Sequence, residues 1–342
     1  MDVQDFQYQL PRNLIAQYPS RERDEARLMV VHRDTGSLEH RSFRDLPDYL
    51  NEGDVLVIND TKVLKARLIG TKETGGKVEI LLTERIGDRM WRCMVKRSRS
   101  LSSGSTVSFG DGLRGRFLER NESGMWEIAF SCEGDFYEAI DHFGSMPLPP
   151  YIKRKKTLPL DEERYQTIFA KRPGSIAAPT AGLHMTRPLL ERVNQAGTSV
   201  VPITLHVNVG TFSPIRTKRV EDHKMASEFF EIGPVAAEAI NRARERGRRI
   251  IALGTTTTRS LESAVDPEGK LVATAGYSSL FIYPAYRFRM VDALVTNFHL
   301  PGTTLLLLVS AFANPELIMK AYREAIRNDY RFFSYGDGML II

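Results

Sequence analysis

Three histidines stand where the chain changes character, not inside long apolar runs. His184 closes AAPTAGLHMT, a stretch whose Pro179, Thr180, Ala181 and Gly182 are too small and irregular for core. His206 ends the strand-like TSVVPITLHV, with Gly210 and Thr211 turning away from it. His299 follows Asn297 in VTNFHLPGTT, where a strand gives way to Pro301 and Gly302. An imidazole titrates near pH 6.5, so each of the three suits proton transfer at neutral pH. Each equally suits the commoner task of ordering a loop or a strand end by hydrogen bonds. They form no HxH or HExxH pair, so a metal site is not expected.

A fourth stretch, IIALGTTTTRS, reads as a buried strand ending in Gly254, with Thr255 and Thr256 opening a helix. Unpaired backbone N–H groups and hydroxyls at such a helix start suit an anion. Arg259, one turn in, offers a two-pronged clamp for a carboxylate or phosphate. The same residues also suit an ordinary threonine N-cap. The pattern is neither GxGxxG nor a Walker loop, so nothing in it points to nicotinamide or ATP chemistry.

Basic residues cluster in three places: Arg85 to Arg120, with Lys96, Arg97 and Arg99 at its centre; YIKRKK, with Lys153, Arg154 and Lys155; and RARERGRR. A single charge run is usually a solvated face. Three in one chain favour phosphate contacts with a nucleic acid.

The elements that must position these residues fall into two textures. GDVLVIND is a continuous apolar run, expected as a buried strand, and RLMVVHRD and SLEHRSF flank a hairpin turn at Thr35-Gly36. From Lys65 to about Ser131 come short alternating runs (KVEILLTE, MWRCMVK, STVSF, RGRFLE, MWEIAF) separated by glycine turns, the pattern of a small antiparallel barrel. After the proline-rich MPLPPYI, helices and strands alternate: RPLLERVNQAG, TSVVPITLHV, PVAAEAINRARERG, RRIIALG and TTTTRSLESAV. YSSLFIYPAYRF and VDALVTNF are expected as strands, followed by helices to Tyr330 and a closing strand, GMLII. The fold class is therefore α/β: a layered α/β main domain (1–64 and 143–342) carrying an inserted small antiparallel β-barrel domain (65–142).

The chain has 342 residues, 42% hydrophobic and 26% charged, with net charge +5 and pI about 9.1. This composition suits a globular protein of about two domains. Cys93 and Cys132 stand alone, which speaks against a disulfide framework or structural zinc. The first residues lack an apolar signal core. The longest apolar run, Leu305 to Ala313, is interrupted by Ser310 and far too short to span a bilayer. A cytoplasmic protein without a membrane partner, acting as a monomer, is the expectation.

Several stretches together resemble the S-adenosylmethionine:tRNA ribosyltransferase-isomerases of queuosine biosynthesis. They are NDTKV with ARL (Asn59 to Val63, Ala66 to Leu68), MPLPPYI, APTAGLH, TLHV with GTF, GTTTTRSLES, DALVTNFHLP, LVSAFA and YRFFSYGD, in order along nearly the whole chain. The resemblance implies an α/β domain with an inserted barrel. It implies S-adenosylmethionine as ribosyl donor and co-substrate, with no separate cofactor. The acceptor would be 7-aminomethyl-7-deazaguanine at the wobble position of tRNAs with GUN anticodons, and the products epoxyqueuosine-tRNA, adenine and methionine. Such chemistry needs a base for a C5′ proton acidified by the sulfonium, assistance to departing adenine, and attack by the acceptor amine. His184, His206 and His299 are the base candidates, His184 favoured by its loop position. Asn297 and His299 suit substrate orientation, and Asp292 the adenine leaving group. Thr180, Gly182 and the Gly254–Arg259 loop would bind substrate. Two positions depart from the family pattern: Asn208 where glycine is common, and Lys62 where arginine is common.

Overall fold

The computed structural model describes residues 1–154, 158–208 and 214–342. Lys155, Gly210 and Thr211 therefore lie outside the described residues. The main domain is built on a nine-stranded mixed sheet. In spatial order its strands are Thr274–Ser278, Glu228–Ile232, Ser199–Leu205, Val55–Asn59, Ile250–Leu253, Ala293–Asn297, Gly338–Ile341, Arg27–Val31 and Leu38–Ser42. The four central strands, Ser199–Leu205 to Ala293–Asn297, run parallel. Gly338–Ile341 then pairs antiparallel with Ala293–Asn297 and parallel with Arg27–Val31.

The central strands are mostly apolar because both faces are covered along most of their length, and Asn59, Thr204, Thr296 and Asn297 fall at their carboxyl ends. Val55 and Val57 join the core on one face, while Leu56 and Ile58 join the core on the other. Ile250 and Ala252 alternate with Ile251 and Leu253 in the same way. This period of two puts every second side chain into each layer. Helices Pro234–Glu245, Thr304–Ala313 and Pro315–Arg327 cover one face, and the Arg187–Gln195 helix covers the other with Phe43 and Leu46. No single helix among the described residues is long and apolar enough to cross a membrane.

Six antiparallel strands between Arg67 and Cys132 close into the expected barrel, because Arg67–Lys72 pairs with both Lys77–Gly87 and Thr106–Ser108. Its core of Leu68, Ile80, Trp91, Phe117, Ile128 and their neighbours is separate from both layers of the main sheet. At its neck, Thr61–Val63 pairs in parallel with Arg172–Ser175, joining the chain entering the barrel to the chain returning from it.

Two elements differ from expectation. YSSLFIYPAYRF is strand only at Tyr277 and Ser278; residues 279–292 are irregular. The Glu262 carboxylate replaces a neighbouring strand there, accepting the backbone N–H groups of Arg289, Met290 and Val291 at 2.9–3.0 Å. The Glu228–Ile232 strand, whose EFFEI offers little alternation, was not anticipated.

Candidate active site

The carboxyl ends of the four central parallel strands gather the polar side chains, as open α/β sheets do. Asn59 pins two of these ends together. Its side-chain N–H donates to the Leu205 carbonyl, and its oxygen accepts from the N–H groups of Leu205 and Thr61, all at 3.0–3.1 Å. The pin sets the Thr61 hydroxyl 2.8 Å from Nδ1 of His206. The His206 ring stacks on Phe229 at 5.6 Å, and Gly174 lies against its other side. A Cβ on Gly174, whose φ is +151°, would stand 2.5 Å from Nε2. Burial, with Arg172 nearby, lowers the His206 pKa to about 4, leaving a neutral imidazole at pH 7. His206 lines a cavity of about 270 Å³ between barrel and sheet.

Two strands away, about 10 Å at ordinary strand spacing, the Thr255–Ser263 helix begins at Gly254. Gly254 has φ +102°, which suits glycine, and no side chain caps this helix start. Thr257 and Thr258 turn their hydroxyls back to the Leu253 and Gly254 carbonyls. The first turn borders a small cavity of about 20 Å³, lined by Thr180, Thr255, Thr256, His299 and Leu305 among others. Thr180, His299 and Leu305 also line a second small cavity, with Asn297 and Ser334, so these three form the partition between the two. His299 Nε2 is 3.0 Å from the Thr296 hydroxyl, and burial lowers its pKa to about 3.

His184 is different. Its Nε2 accepts from the Asn297 side-chain N–H at 3.0 Å, a backbone hydrogen bond with Arg23 engages the ring as well, and Phe43 stacks on it at 4.6 Å. Burial drives its pKa to about 3. Such a ring holds Asn297 in place and has little freedom to accept a proton from a substrate. The Asn297 oxygen, by contrast, is buried with no hydrogen-bond partner among the described residues.

Three expected site residues sit elsewhere or are already engaged. Arg259 is buried and its fork is occupied: Nη1 donates to Glu228 at 2.5 Å and Nε to the Leu280 carbonyl at 3.1 Å. That makes it a strut between the helix and the Glu228–Ile232 strand, not an open clamp. Asp292 precedes the Ala293–Asn297 strand, so the length of that strand, about 17 Å, separates it from His299. Its carboxylate accepts the Ile250 N–H at 2.8 Å. Arg154 has a buried side chain paired with Asp161 at 2.5 Å, so it is not a surface phosphate contact. Lys96, Arg97, Arg99 and Lys153 are exposed, with Lys96 also paired to Glu79. Gly182 serves packing, since a Cβ there would meet Phe169 and Thr167 at 2.9 Å. Of the two departures, Asn208 donates its backbone N–H to Glu228 at 2.8 Å, and Lys62 reaches Asp141 at 3.8 Å. Thr61, Gly174, Glu228 and Phe229 had not been singled out. Only Thr61 carried a signal, its place in the NDTKV stretch.

Parallel strands at the centre of a mixed sheet, with neutral imidazoles and an uncapped helix start at their carboxyl ends and a β-barrel across a cavity, define an α/β enzyme. The family model described as queuosine biosynthesis protein matches residues 3–341. The chain is 48% identical to the S-adenosylmethionine:tRNA ribosyltransferase-isomerase of Desulforamulus reducens and 51% identical to that of Pelotomaculum thermopropionicum, each alignment covering all of both chains. It is 37% identical to the crystal structure of S-adenosylmethionine tRNA ribosyltransferase from Thermotoga maritima, covering 99% of this chain and all of that one, with a TM-score of 0.57. The chain belongs to this family, that of the S-adenosylmethionine:tRNA ribosyltransferase-isomerases of queuosine biosynthesis.

Proposed function

We propose that this protein transfers and isomerises the ribosyl group of S-adenosylmethionine onto 7-aminomethyl-7-deazaguanine at the wobble position of GUN-anticodon tRNA. Epoxyqueuosine-tRNA, adenine and methionine are the products, made by a monomer in the cytoplasm. The observation that carries this reading is the row of polar groups along four adjacent strand ends, in a chain that matches the family over its whole length. His206 stands at one side of the row and the uncapped helix start with His299 at the other.

In this arrangement the first-turn N–H groups at Thr255 and Thr256 take the methionine carboxylate, where the helix dipole favours negative charge. His206, kept neutral by burial and oriented by Thr61, takes the C5′ proton. The neighbouring sulfonium keeps that imidazole neutral until it does so. His299 and Asn297 orient the adenosine portion, and His184 holds Asn297. Adenine leaves, the acceptor amine attacks, and methionine departs as the epoxide closes. The steps balance without oxidant, reductant or metal. Exposed Lys96, Arg97, Arg99 and Lys153 supply phosphate contacts.

Incubation with labelled S-adenosylmethionine and substrate tRNA tests the reading. Adenine and methionine in equal amounts are expected. S-adenosylhomocysteine would make the protein a methyltransferase, and no turnover would leave only RNA binding; either overturns the proposal.

A further inference from the structure

The sheet edge beside the larger cavity carries three aromatic rings in register on neighbouring strands. The His206 backbone N–H bonds the Phe229 carbonyl, and Phe229 is the direct cross-strand partner of Tyr277. Their rings follow the same line, with centroids 5.6 Å apart from His206 to Phe229 and 5.7 Å from Phe229 to Tyr277. Cross-strand aromatic pairs stabilise sheets in many proteins. This ladder, however, runs out to the surface: Tyr277 is 61% exposed. Its inner end faces the cavity of about 270 Å³, whose barrel side presents Trp91, Tyr137 and Arg85.

Such a cavity is at the small end of ligand sites, so it suits one planar ring system and not a length of helix. Aromatic side chains on a sheet surface are a recurrent means of holding unpaired bases, because every base offers a π-face. A base acted on chemically must also leave its stack to reach the reacting groups.

We propose that the His206–Phe229–Tyr277 ladder is a stacking platform for unstacked bases of an RNA loop. The base to be modified enters the cavity beside His206 and Phe229. Tyr277, at the lip, stacks the next base along the loop. This rests on the reading of the protein as an RNA-modifying enzyme, and it assigns the barrel-facing cavity to the base being modified.

The test uses the full chain and two synthetic anticodon stem-loops, one with an intact loop and one abasic at both nucleotides flanking the wobble position. Tyr277→Ala should weaken binding of the intact loop about 5- to 100-fold, the range of one lost base–aromatic stack. It should leave the abasic-flanked loop within twofold of wild type. Tyr277→Phe, which keeps the ring, should bind both RNAs as wild type does. Equal weakening of both RNAs by Tyr277→Ala, or no weakening of either, overturns the platform. Adenine release by the wild type is measured in parallel. Its absence would remove the enzymatic reading while leaving the binding comparison to decide the platform by itself.

Discussion

Arg259 carries the sharpest test of how the site is built. Its side chain is 3% exposed and that of its partner Glu228 only 1%, at a separation of 2.5 Å. Removing one member of so deeply buried a pair breaks the ion pair while the other charge stays in the interior, which costs about 3–5 kcal/mol. Arg259→Met should therefore destabilise the main domain by that amount. Glu228→Gln should do the same. The double variant replaces both charges by neutral groups of similar shape, and Gln can still accept the Asn208 N–H, so it should recover to within about 1–2 kcal/mol of wild type. Urea unfolding followed by far-ultraviolet circular dichroism is the suitable assay. Both tryptophans, Trp91 and Trp126, lie in the barrel core, so their fluorescence would report the wrong domain. S-adenosylmethionine affinity is measured on the same variants. A cost below about 1 kcal/mol for Arg259→Met, accompanied by a tenfold loss of S-adenosylmethionine affinity, would refute the strut and restore the open clamp.

Four further outcomes are expected. Burial lowers the pKa of His184 and His299 to about 3 and of His206 to about 4. The unfolded chain takes up these protons below about pH 6.5 while the folded one does not, so stability falls as pH drops from 6.5 towards 4. The loss reaches about 2 kcal/mol per histidine by pH 5, and urea midpoints for wild type and His184→Gln should show the variant with the shallower slope. Asp292→Ala should lower stability by about 1–3 kcal/mol by orphaning the Ile250 N–H, yet leave the rate of adenine release per folded molecule unchanged. Gly174→Ala places a methyl against the His206 ring and should cut kcat at least tenfold, with S-adenosylmethionine affinity kept, as steady-state kinetics and calorimetry can show. Replacing Arg97 and Arg99 by Ala should reduce the salt dependence of tRNA binding by up to about one logarithmic unit per lost contact, read from binding isotherms at several salt concentrations.

What the sequence disclosed was periodicity and punctuation. Alternating short runs between glycine turns marked the barrel, and apolar runs between amphipathic segments marked the layered sheet, because burial on one or both faces imprints itself on every second residue. The strand-end location of His206, Asn297 and His299 was legible for the same reason. Partners were not. Arg259 looks like a ligand clamp until Glu228 arrives from 31 residues earlier on another strand. Nothing local in KRKK announces that Arg154 turns inward to Asp161. Asp292 adjoins the DALVTNFHLP motif, but a strand carries its two ends to opposite rims of the sheet. A histidine in a loop shaped by glycine and proline looked free, yet Asn297, 113 residues downstream, holds its nitrogen. Local pattern shows where a residue falls along an element; the far side of each bond is written elsewhere in the chain.

The order of strands also has a bearing on how the protein is made. The hairpin Arg27–Ser42 leaves the ribosome long before Gly338–Ile341, which among the described residues is its only bridge to the rest of the sheet. Meanwhile the barrel, whose six strands all lie between Arg67 and Cys132, can close once that stretch has emerged. The early hairpin must wait, marginal when alone, through the synthesis of some three hundred residues. A nascent chain stalled before residue 338 would hold a finished barrel beside a sheet still open at its seam, with two exposed strand edges. Synthesis of the Gly338–Ile341 strand is thus what zips the sheet shut, and chains stalled before it should be the ones that chaperones and proteases recognise.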